Sequence, residues 1–556
     1  MQSRLQSSAR VALALLIMCA GGQVGAQVSS ASGTVPQAAQ PPMNVLLILT
    51  DDQRFDTVSR MPNLTSLAAK GVTFTSAYMP SPLCGPSRAM LFSGGYREQN
   101  TGVLENDLPD GGATIFSDKG NLGAMLQAAG YRTQYIGKWM NGYEGMGRYI
   151  PPGWSKWVGR HSYSTITKWQ EFEYTSGSSN QNSSLGTIAN ANEYTTYFER
   201  DQILSFLSST PAAQPFFVLW APSAPHGRAT GAPEDLQLFS DYYYRDRGYG
   251  ETDRSDKPSW VRNSHPPDNE VFVQHQLQSL QSVDRSIADV VARLKSLGRY
   301  DNTLIVFTSD NGYLWGEHGL WGKDAPYEES MRVPFIVVMP GVAPRTDASL
   351  VTPSLDLGPT LFELAGISKK TDGTSLVSLL KLPGAPWRTD FFFECTTSAG
   401  GNDAIWAGVR DGRWKYVRYW NGEEELYDLN ADPYELTSRH KDSTLNTLKA
   451  SLLARTQQQL GLAILPPRIP PNGNVGAAYS LAMKTWGGKA PFQWTIASGQ
   501  LPPGLALNLS TGVIQGVPNK AGTYQFSVRV TDSAPAAQTG KPRTFVTRPV
   551  TLIVKS

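Results

Sequence analysis

Short apolar runs, each followed at once by polar residues, recur along the first two thirds of the chain. They are nearly continuous rather than alternating, which is typical of strands that are buried on both faces of a sheet. Between them lie segments whose apolar residues recur at three and four positions, such as Leu122 to Ala129 and Gln276 to Leu297, and these segments predict helices. The apolar runs are Asn44 to Thr50, Tyr131 to Ile136, Pro215 to Trp220, Thr303 to Thr308 and Val333 to Met339. The alternation predicts an α/β fold with a large, mostly parallel sheet flanked by helices, over residues 44–385.

The pattern changes near Trp406, where apolar and polar residues alternate across turns and a helical pattern follows near residues 445–460. This predicts a small C-terminal antiparallel subdomain over residues 386–464. A Pro-rich segment, 465–472, predicts a stiff linker. Beyond it, short runs separated by Gly and Pro turns predict a separate all-β, Ig-like sandwich over residues 473–556.

The N-terminus has the pattern of a cleaved secretory signal. Arginines precede an apolar run, Val11 to Ala20, and a small-residue cleavage site follows. We therefore predict a signal peptide at 1–26, a linker at 27–43, and export to the periplasm or the extracellular space. A lipoprotein signal ending at Cys19 is a weaker alternative, because the bulky Met18 precedes it. Other apolar runs are too short to span a bilayer, so no transmembrane segment is expected after cleavage.

Composition narrows the function classes. The 556 residues include 49 Lys and Arg against 47 Asp and Glu, so the net charge is only +2. This balance argues against a polybasic nucleic-acid binder and against an acidic tail protein. A hydrophobic fraction of 40% and a charged fraction of 17% indicate a packed protein rather than a disordered one. Of the three cysteines, Cys84 and Cys395 lie after the signal; they could form a disulfide, or Cys395 is simply a buried thiol.

Four polar clusters directly follow predicted strands. In an open α/β sheet the carboxyl ends of the strands form the ligand crevice, so these clusters are expected to converge. The alternative is that strand exits are loops, and loops are polar anyway. The clusters are Asp51 with Asp52, Lys138, His226, and Asp310 with Asn311. The oxygen donors among them suit a hard divalent cation, Ca²⁺ or Mg²⁺, although aspartates that cap helices are an equal alternative for either pair alone.

The sharpest motif is Cys84-Gly-Pro-Ser-Arg88. Pro86 and Ser87 suit the start of a helix, so Cys84 is expected at a helix N-terminus with Arg88 one turn later. Backbone N–H groups and a guanidinium would then face the same anion. This pattern makes a purely structural thiol a poor explanation of Cys84.

On this motif the chain resembles the type I sulfatases of the alkaline phosphatase superfamily, over roughly residues 44–460. The resemblance implies an alkaline-phosphatase-like fold and oxidation of Cys84 to Cα-formylglycine (3-oxoalanine) by a formylglycine-generating maturation enzyme. It implies one divalent cation, usually Ca²⁺ with Mg²⁺ possible, and sulfate-binding and proton-transfer residues. The implied metal ligands are Asp51, Asp52, Asp310, Asn311 and the modified Cys84. The implied sulfate-binding and proton-transfer residues are Arg88, Lys138, His226 and Lys323.

The mechanism that this resemblance implies agrees with the chemistry of the residues. A hydroxyl of the hydrated aldehyde attacks sulfur while the metal, Arg88 and Lys138 neutralise sulfate oxygens. His226 or Lys323 protonates the leaving alcohol. The second hydroxyl then loses its proton, which expels sulfate and regenerates the aldehyde.

Many sulfatases have a histidine two residues after the motif lysine, where this chain has Met140 followed by Asn141. This variant is similar to the glucosamine-6-sulfatase and extracellular endosulfatase branch, which implies a sulfated amino sugar with a 6-O-sulfate as substrate. Trp139, Asn141 and Trp321 are candidate substrate-binding residues, although tryptophans are at least as often part of the core. His318 either lines the substrate pocket or caps a turn.

Three other functions stay open at this point. A broad arylsulfatase and a phosphate or phosphonate monoester hydrolase share the metal site and the strand architecture. A non-catalytic glycan-binding protein would use the pocket and the Ig-like module without turnover. The expected partners are a sulfated carbohydrate and the maturation enzyme, with no nucleic acid.

Overall fold

The computed structural model describes residues 42–108, 111–161, 172–179, 186–227, 230–265, 270–395, 405–460, 462–465, 470–535, 542–547 and 550–556. The predicted signal peptide, most of the linker that follows it, Cys19, and four residues of the Pro-rich linker lie outside the described residues. Among the residues that are described, no helix combines the length and the apolar character needed to cross a membrane.

Most of the α/β domain's described strands form one large sheet. The strands of this domain are β1 (Asn44–Thr50), β2 (Val72–Ala77), β3 (Arg132–Lys138), β4 (Lys156–Arg160), β5 (Phe172–Gly177), β6 (Thr187–Ala191), β7 (Phe216–Ala221), β8 (Thr303–Ser309), β9 (Leu314–Trp315), β10 (Trp321–Gly322), β11 (Phe335–Val338) and β12 (Arg345–Val351). Their order in the large sheet is β12-β2-β11-β8-β1-β7-β3-β4-β5-β6, and β9 pairs separately with β10. The five predicted runs all form strands of the large sheet.

Four central strands run in the same direction: β3, β7, β1 and β8 are parallel neighbours. The sheet is mostly parallel, as predicted, but β11 is antiparallel to both β8 and β2, and β5 is antiparallel to both β4 and β6. A parallel neighbour requires a crossover connection, usually a long helix. The segment between β8 and β11 has only a four-residue helix, Glu328–Met331, so the chain turns back beside the strand it has just left.

Helices cover both faces of this sheet. They are α1 (Pro62–Ala68), α2 (Cys84–Phe92), α3 (Glu98–Thr101), α4 (Leu122–Ala128), α5 (Thr195–Ser209), α6 (Ser259–Arg262), α7 (Glu270–Ser296), α8 (Glu328–Met331), α9 (Pro353–Leu364) and α10 (Val377–Lys381). Side chains of β1 alternate between two cores: Leu46 and Ile48 pack in the core that includes residues of α5 and α7, and Leu47 packs on the side of α2 and α9. Short 3₁₀ helices are Phe55–Arg60, Tyr143–Met146, Pro233–Asp235, Tyr300–Asn302 and Ser443–Leu445.

The predicted C-terminal subdomain is an antiparallel sheet of consecutive strands, followed by a helix. The strands are β13 (Asp390–Cys395), β14 (Trp406–Asp411), β15 (Trp414–Tyr419) and β16 (Glu424–Asp428), and the helix is α11 (Asn446–Gln459). Each strand pairs with the next one along the chain, as the alternating pattern predicts.

The last part of the chain is all-β. Its strands are β17 (Ala463–Leu465), β18 (Gly473–Asn474), β19 (Tyr479–Ala482), β20 (Lys484–Trp486), β21 (Gln493–Gly499), β22 (Leu505–Leu507), β23 (Val513–Gly516), β24 (Gly522–Pro535), β25 (Pro542–Val546) and β26 (Val550–Lys555). Strand β17 pairs with β20, so the predicted boundary between 464 and 465 falls inside a strand that belongs to the β module. Trp486 packs against Phe392 and Val409 of the antiparallel subdomain, so the module is docked on that subdomain.

Candidate active site

The carboxylates of the site lie at the ends of two neighbouring parallel strands. Thr50 and Ser309 are paired at the last position of β1 and β8, so the residues that follow them meet at one edge of the sheet. The backbone N–H of Asp52 donates to Asp310 Oδ1 at 3.1 Å. Asn311 Nδ2 donates to Asp52 Oδ1 at 2.7 Å. Two of the predicted polar clusters therefore form one connected group.

Cys84 begins α2 and its thiol points at this group. The side chain is fully buried, and Sγ lies 3.3 Å from Asp51 Oδ1. Asn106 accepts from the backbone N–H of Gly85 through Oδ1 at 2.7 Å, which holds the first turn of the helix in place. All nine residues of α2 are buried, so this helix lies inside the domain with its N-terminus directed at the site.

Arg88 lies one turn further along α2 and is also fully buried. Its Nε donates to Asp310 Oδ2 at 2.7 Å, and its Nη1 donates to the backbone oxygen of Lys138 at 2.7 Å. Within the described part of the chain, Nη2 has no hydrogen-bond partner and lies 3.7 Å from Asp51 Oδ2. The guanidinium is therefore fixed by two bonds and keeps one donor group available.

Two lysines and a histidine complete the site. Lys138, at the end of β3, has its Nζ 2.6 Å from Asp51 Oδ2. Lys323 forms an ion pair with Asp52 and donates to Cys84 Sγ at 2.7 Å. His226 Nε2 lies 3.6 Å from Asp52 Oδ2, and its side chain keeps 22% of its surface exposed while the aspartates are closed to solvent. His226 therefore lies on the open side of the site.

The electrostatics of the site depend on buried opposite charges. Burial opposes ionisation of Asp51, yet Lys138, His226 and Arg88 hold the pKa of that carboxyl well below its usual range. Burial lowers the pKa of His226 to about 4, although Asp51 and Asp52 act in the opposite direction. Burial, Asp310 and Asp51 raise the pKa of the Cys84 thiol. An unmodified Cys84 is therefore held as a neutral thiol and is a poor nucleophile.

The same residues can hold a cation. Carboxylates of Asp51 and Asp52, Sγ of Cys84 and a ring nitrogen of His226 offer ligand atoms within 4.8 Å of one another. Asn311 Oδ1 is buried and has no hydrogen-bond partner among the described residues. Clustered carboxylates together with an unused amide oxygen are the donors that a hard divalent cation prefers. The residues present fit such an ion.

Two candidate substrate-binding residues have buried side chains, and their role stays a prediction. Trp139 is 2% exposed, and its ring stacks on Phe92 with the ring centroids 4.3 Å apart. His318 is fully buried, and its Nδ1 lies 2.8 Å from Glu251 Oε2. Both residues lie next to sequence motifs that predict a pocket, but both side chains are buried in the protein interior.

The other two candidates are compatible with a pocket role, which stays a prediction. Trp321 is partly exposed and lies two residues before Lys323. Its ring packs edge-on against that of Phe272, with the ring centroids 5.0 Å apart. Asn141 is partly exposed and its Oδ1 has no hydrogen-bond partner in the described residues. Met140 is 3% exposed and packs in the core, so its side chain takes no part in the site.

Cys84 and Cys395 do not form a disulfide. Both are buried free thiols, and Cys395 Sγ donates to Asp324 Oδ1 at 2.8 Å. The disulfide hypothesis is therefore wrong, and the alternative of a buried thiol at Cys395 is confirmed.

Sequence reasoning missed a second buried ion pair beside the site. Arg54, two residues after Asp52, donates through Nη1 to Glu317 Oε1 at 2.7 Å, and both side chains are almost fully buried. Arg54 also stacks on Trp315, with the guanidinium carbon 4.4 Å from the ring centroid. This pair joins the loop of the aspartates to the segment that carries Lys323. The arginine beside two aspartates was visible in the sequence, but its partner lies 263 positions away.

The fold is that of the alkaline-phosphatase-like hydrolases, with the polar site at the carboxyl ends of the central strands. Comparison with known proteins gives the family: the sulfatase family model matches residues 43–367, and the C-terminal model of N-sulphoglucosamine sulphohydrolase matches residues 316–460. An Ig-domain model matches residues 463–547. The chain therefore belongs to the sulfatase family.

Relatives and solved structures agree with this membership. The chain is 29% identical over 502 residues to N-acetylglucosamine-6-sulfatase of Homo sapiens, covering 80% of this chain and 88% of the human protein. It is 32% identical to an extracellular sulfatase homologue of Caenorhabditis elegans and 33% identical to one of Drosophila melanogaster, covering 69% and 61% of this chain. It spans only 56% and 31% of the lengths of those two proteins. A structure solved in complex with its substrate D-glucosamine-2-N,6-O-disulfate superposes with a TM-score of 0.65 at 22% identity, over 75% of this chain and 97% of that one.

Proposed function

We propose that this protein is an exported sulfuric ester hydrolase that releases sulfate from sulfated sugars, of the N-acetylglucosamine-6-sulfate type. The observation that carries the proposal is the convergence of Cys84, Arg88, Lys138 and Lys323 on one buried cluster of aspartates. Membership of the sulfatase family supports the reaction. The named activities of the human relative and of the glucosamine-disulfate complex support the substrate class.

In this proposal Asp51, Asp52, Asp310 and Asn311 hold one Ca²⁺, and Mg²⁺ is the alternative. The ion supplies positive charge that polarises a sulfate oxygen. Oxidation of Cys84 to Cα-formylglycine supplies a hydrated aldehyde, whose hydroxyl is the nucleophile. The buried thiol, with its raised pKa, cannot take that role without the modification.

The cationic side chains bind and orient the sulfate group. Arg88 Nη2 makes no hydrogen bond to any described residue, and it lies beside Asp51, as the ammonium of Lys138 does. Both are fixed by buried aspartates, so they need little reorganisation to neutralise charge that develops on sulfate oxygens. Lys323, beside Cys84, is protonated near neutral pH and is placed to donate a proton to the leaving oxygen of the sugar. His226, on the open side, is placed to contact the same oxygen, but its pKa of about 4 makes it the weaker candidate for the proton donor.

The test is sulfate release by protein that is co-produced with a formylglycine-generating enzyme. We expect the highest kcat/KM for N-acetylglucosamine 6-sulfate, a lower value for p-nitrophenyl sulfate, and the lowest for p-nitrophenyl phosphate. Higher efficiency on the phosphate ester would point to a phosphate or phosphonate monoester hydrolase. Higher efficiency on the aryl sulfate would point to a broad arylsulfatase, and binding of the sugar without turnover would point to a glycan-binding protein.

A further inference from the structure

A second buried group of potential metal ligands lies behind the segment that carries Lys323. It consists of His318, Glu329 and Glu435, each of which offers one ligand atom within 4.8 Å of the others. Their exposed fractions are 0%, 6% and 0%. None of the three belongs to the ligand set at the carboxyl ends of β1 and β8, so this is a separate site.

The imidazole of His318 is arranged as a ligand. Its Nδ1 is bonded to Glu251 Oε2 at 2.8 Å, and Glu251 is in turn paired with the buried Lys257 at 3.2 Å. Its Nε2 is buried and has no hydrogen-bond partner within the described ranges. A carboxylate that accepts from one ring nitrogen fixes the tautomer and leaves a lone pair on the other, which is how metal-binding histidines are usually supported.

The two glutamates supply negative charge that the protein compensates only in part. Glu329 Oε2 is buried and has no hydrogen-bond partner among the described residues. Glu435 Oε1 lies 2.6 Å from the buried Lys415, and Oε2 accepts from the backbone N–H of Glu328. A carboxylate oxygen has two lone pairs, so these contacts leave Glu435 able to bind a cation as well.

A buried carboxyl oxygen and a buried imidazole nitrogen that make no hydrogen bonds are both costly to bury. We propose that His318, Glu329 and Glu435 bind a structural divalent cation of the first transition row, with Zn²⁺ as the best match. One nitrogen and two carboxylate oxygens suit Zn²⁺, whereas Ca²⁺ and Mg²⁺ prefer oxygen ligands alone.

The position of this site gives it a structural role. His318 lies in the segment between β9 and β10 that leads to Lys323, Glu329 lies in α8, and Glu435 follows β16 of the antiparallel subdomain. One ion would therefore join the α/β domain to its C-terminal subdomain and fix the segment that holds Lys323. The ligands are closed to solvent, so the ion would be incorporated as the chain folds.

The test is the zinc content of the full-length protein, expressed with added Zn²⁺ and measured by inductively coupled plasma mass spectrometry. We compare the wild type with Glu329→Gln and with two controls. His161→Gln removes another buried histidine, whose two nitrogens are bonded to Glu173 and Thr175 at 2.6 Å. Asp310→Asn disrupts the other metal site and identifies zinc that binds there by mistake.

We expect one zinc per chain in the wild type and in both controls, and an at least tenfold lower zinc content in Glu329→Gln. Absence of zinc from the wild type would overturn the proposal. So would zinc that survives Glu329→Gln or disappears with Asp310→Asn. If Glu329→Gln does not fold, His318→Gln is measured in the same way.

Thermal unfolding gives an independent readout. With zinc bound, Glu329→Gln should unfold at a lower temperature than the wild type, and a chelator should remove most of that difference. In a cluster without metal, the difference in unfolding temperature between Glu329→Gln and the wild type should not depend on the chelator. A difference that the chelator leaves unchanged would therefore contradict a metal site.

Discussion

The active-site edge of the sheet and the C-terminal β module are built on opposite physical principles. The module has an apolar interior, with Leu481, Trp494, Ile514 and Phe526 in one cluster. Its buried polar residues, among those described, are Ser527, Asp532 and Thr547. The site instead buries three aspartates with an arginine and two lysines.

Apolar burial stabilises a fold directly, whereas buried ion pairs cost desolvation that their attraction only partly returns. The buried charges of the site are therefore preorganised to bind a ligand and are not a source of stability. Substitutions in the two regions should therefore have different effects. Those at the site should lower activity more than stability, and those in the module should lower stability more than activity.

The largest expected effect on activity is that of Cys84→Ala. It removes the residue whose oxidised form is the proposed nucleophile, so kcat/KM for sulfate release should fall by about 10³-fold or more. Cys395→Ser is the matched control and should keep most of the activity, because a hydroxyl can still donate to Asp324. The unfolding temperature of Cys84→Ala should stay close to that of the wild type. Equal losses of activity in Cys84→Ala and Cys395→Ser would contradict a specific catalytic role of Cys84.

Removal of the proposed cation should be nearly as damaging. A chelator should lower sulfate release by about 10²-fold or more, since several kcal/mol of transition-state stabilisation come from such an ion. Addition of Ca²⁺ alone to the depleted protein should restore the rate. Full activity after complete removal of metal, checked by elemental analysis, would contradict the ligand set.

Arg88→Lys keeps the charge but loses the fixed planar donors. A lysine cannot bond Asp310 and the backbone of Lys138 while it also offers a group to sulfate. We expect kcat/KM to fall by about 10²-fold. Arg413→Lys, at an exposed arginine that pairs with the buried Asp428 of the antiparallel subdomain, is the control and should leave kcat/KM unchanged.

Trp321→Ala sharpens the prediction of a sugar-binding role. If this partly exposed ring contacts the sugar, KM for N-acetylglucosamine 6-sulfate should rise by about tenfold, with little change for p-nitrophenyl sulfate. Trp139→Phe is the contrasting variant, because Trp139 lies in the core and should affect stability rather than KM. An equal rise of KM for both substrates in Trp321→Ala would argue against a sugar contact.

The smallest effect on activity is expected in the β module. Trp486→Ala removes a ring that is 7% exposed and packs on Phe392 and Val409, so it should cost about 3 kcal/mol of stability where the module docks. The value of kcat/KM should stay within about twofold of the wild type, since an additional domain fixed away from the reacting atoms does not alter transition-state stabilisation. A chemical denaturation series and steady-state kinetics measure the two quantities. A large loss of kcat/KM in the folded variant would tie the module to catalysis.

Local patterns predicted those features that depend on neighbouring residues. The strand exits at Asp51 and Asp310 were visible because buried strands are apolar throughout and end abruptly in polar residues. The geometry of Cys84 and Arg88 followed from the spacing of one helical turn. Which residues of the motif bind metal came from family resemblance, since carboxylates that bind a metal and carboxylates that cap helices look alike in a sequence.

Features set by distant partners were not predictable in this way. The direction of β11 depends on the segment between β8 and β11, which contains Lys323 and has no long helix. Trp139 and His318 lie in polar surroundings along the chain, but their side chains are buried by residues far away in sequence, such as Phe92 and Glu251. The pair of Arg54 and Glu317 is invisible until the fold brings its two segments together.

The central claim is that Cys84 is converted to the residue that carries out the chemistry. The most direct measurement is a mass spectrum of the peptide that contains Cys84, from protein produced together with the maturation enzyme. We expect the aldehyde of Cα-formylglycine in place of the Cys84 thiol, in the same preparation that releases sulfate. An unmodified thiol in a preparation that still releases sulfate would contradict it.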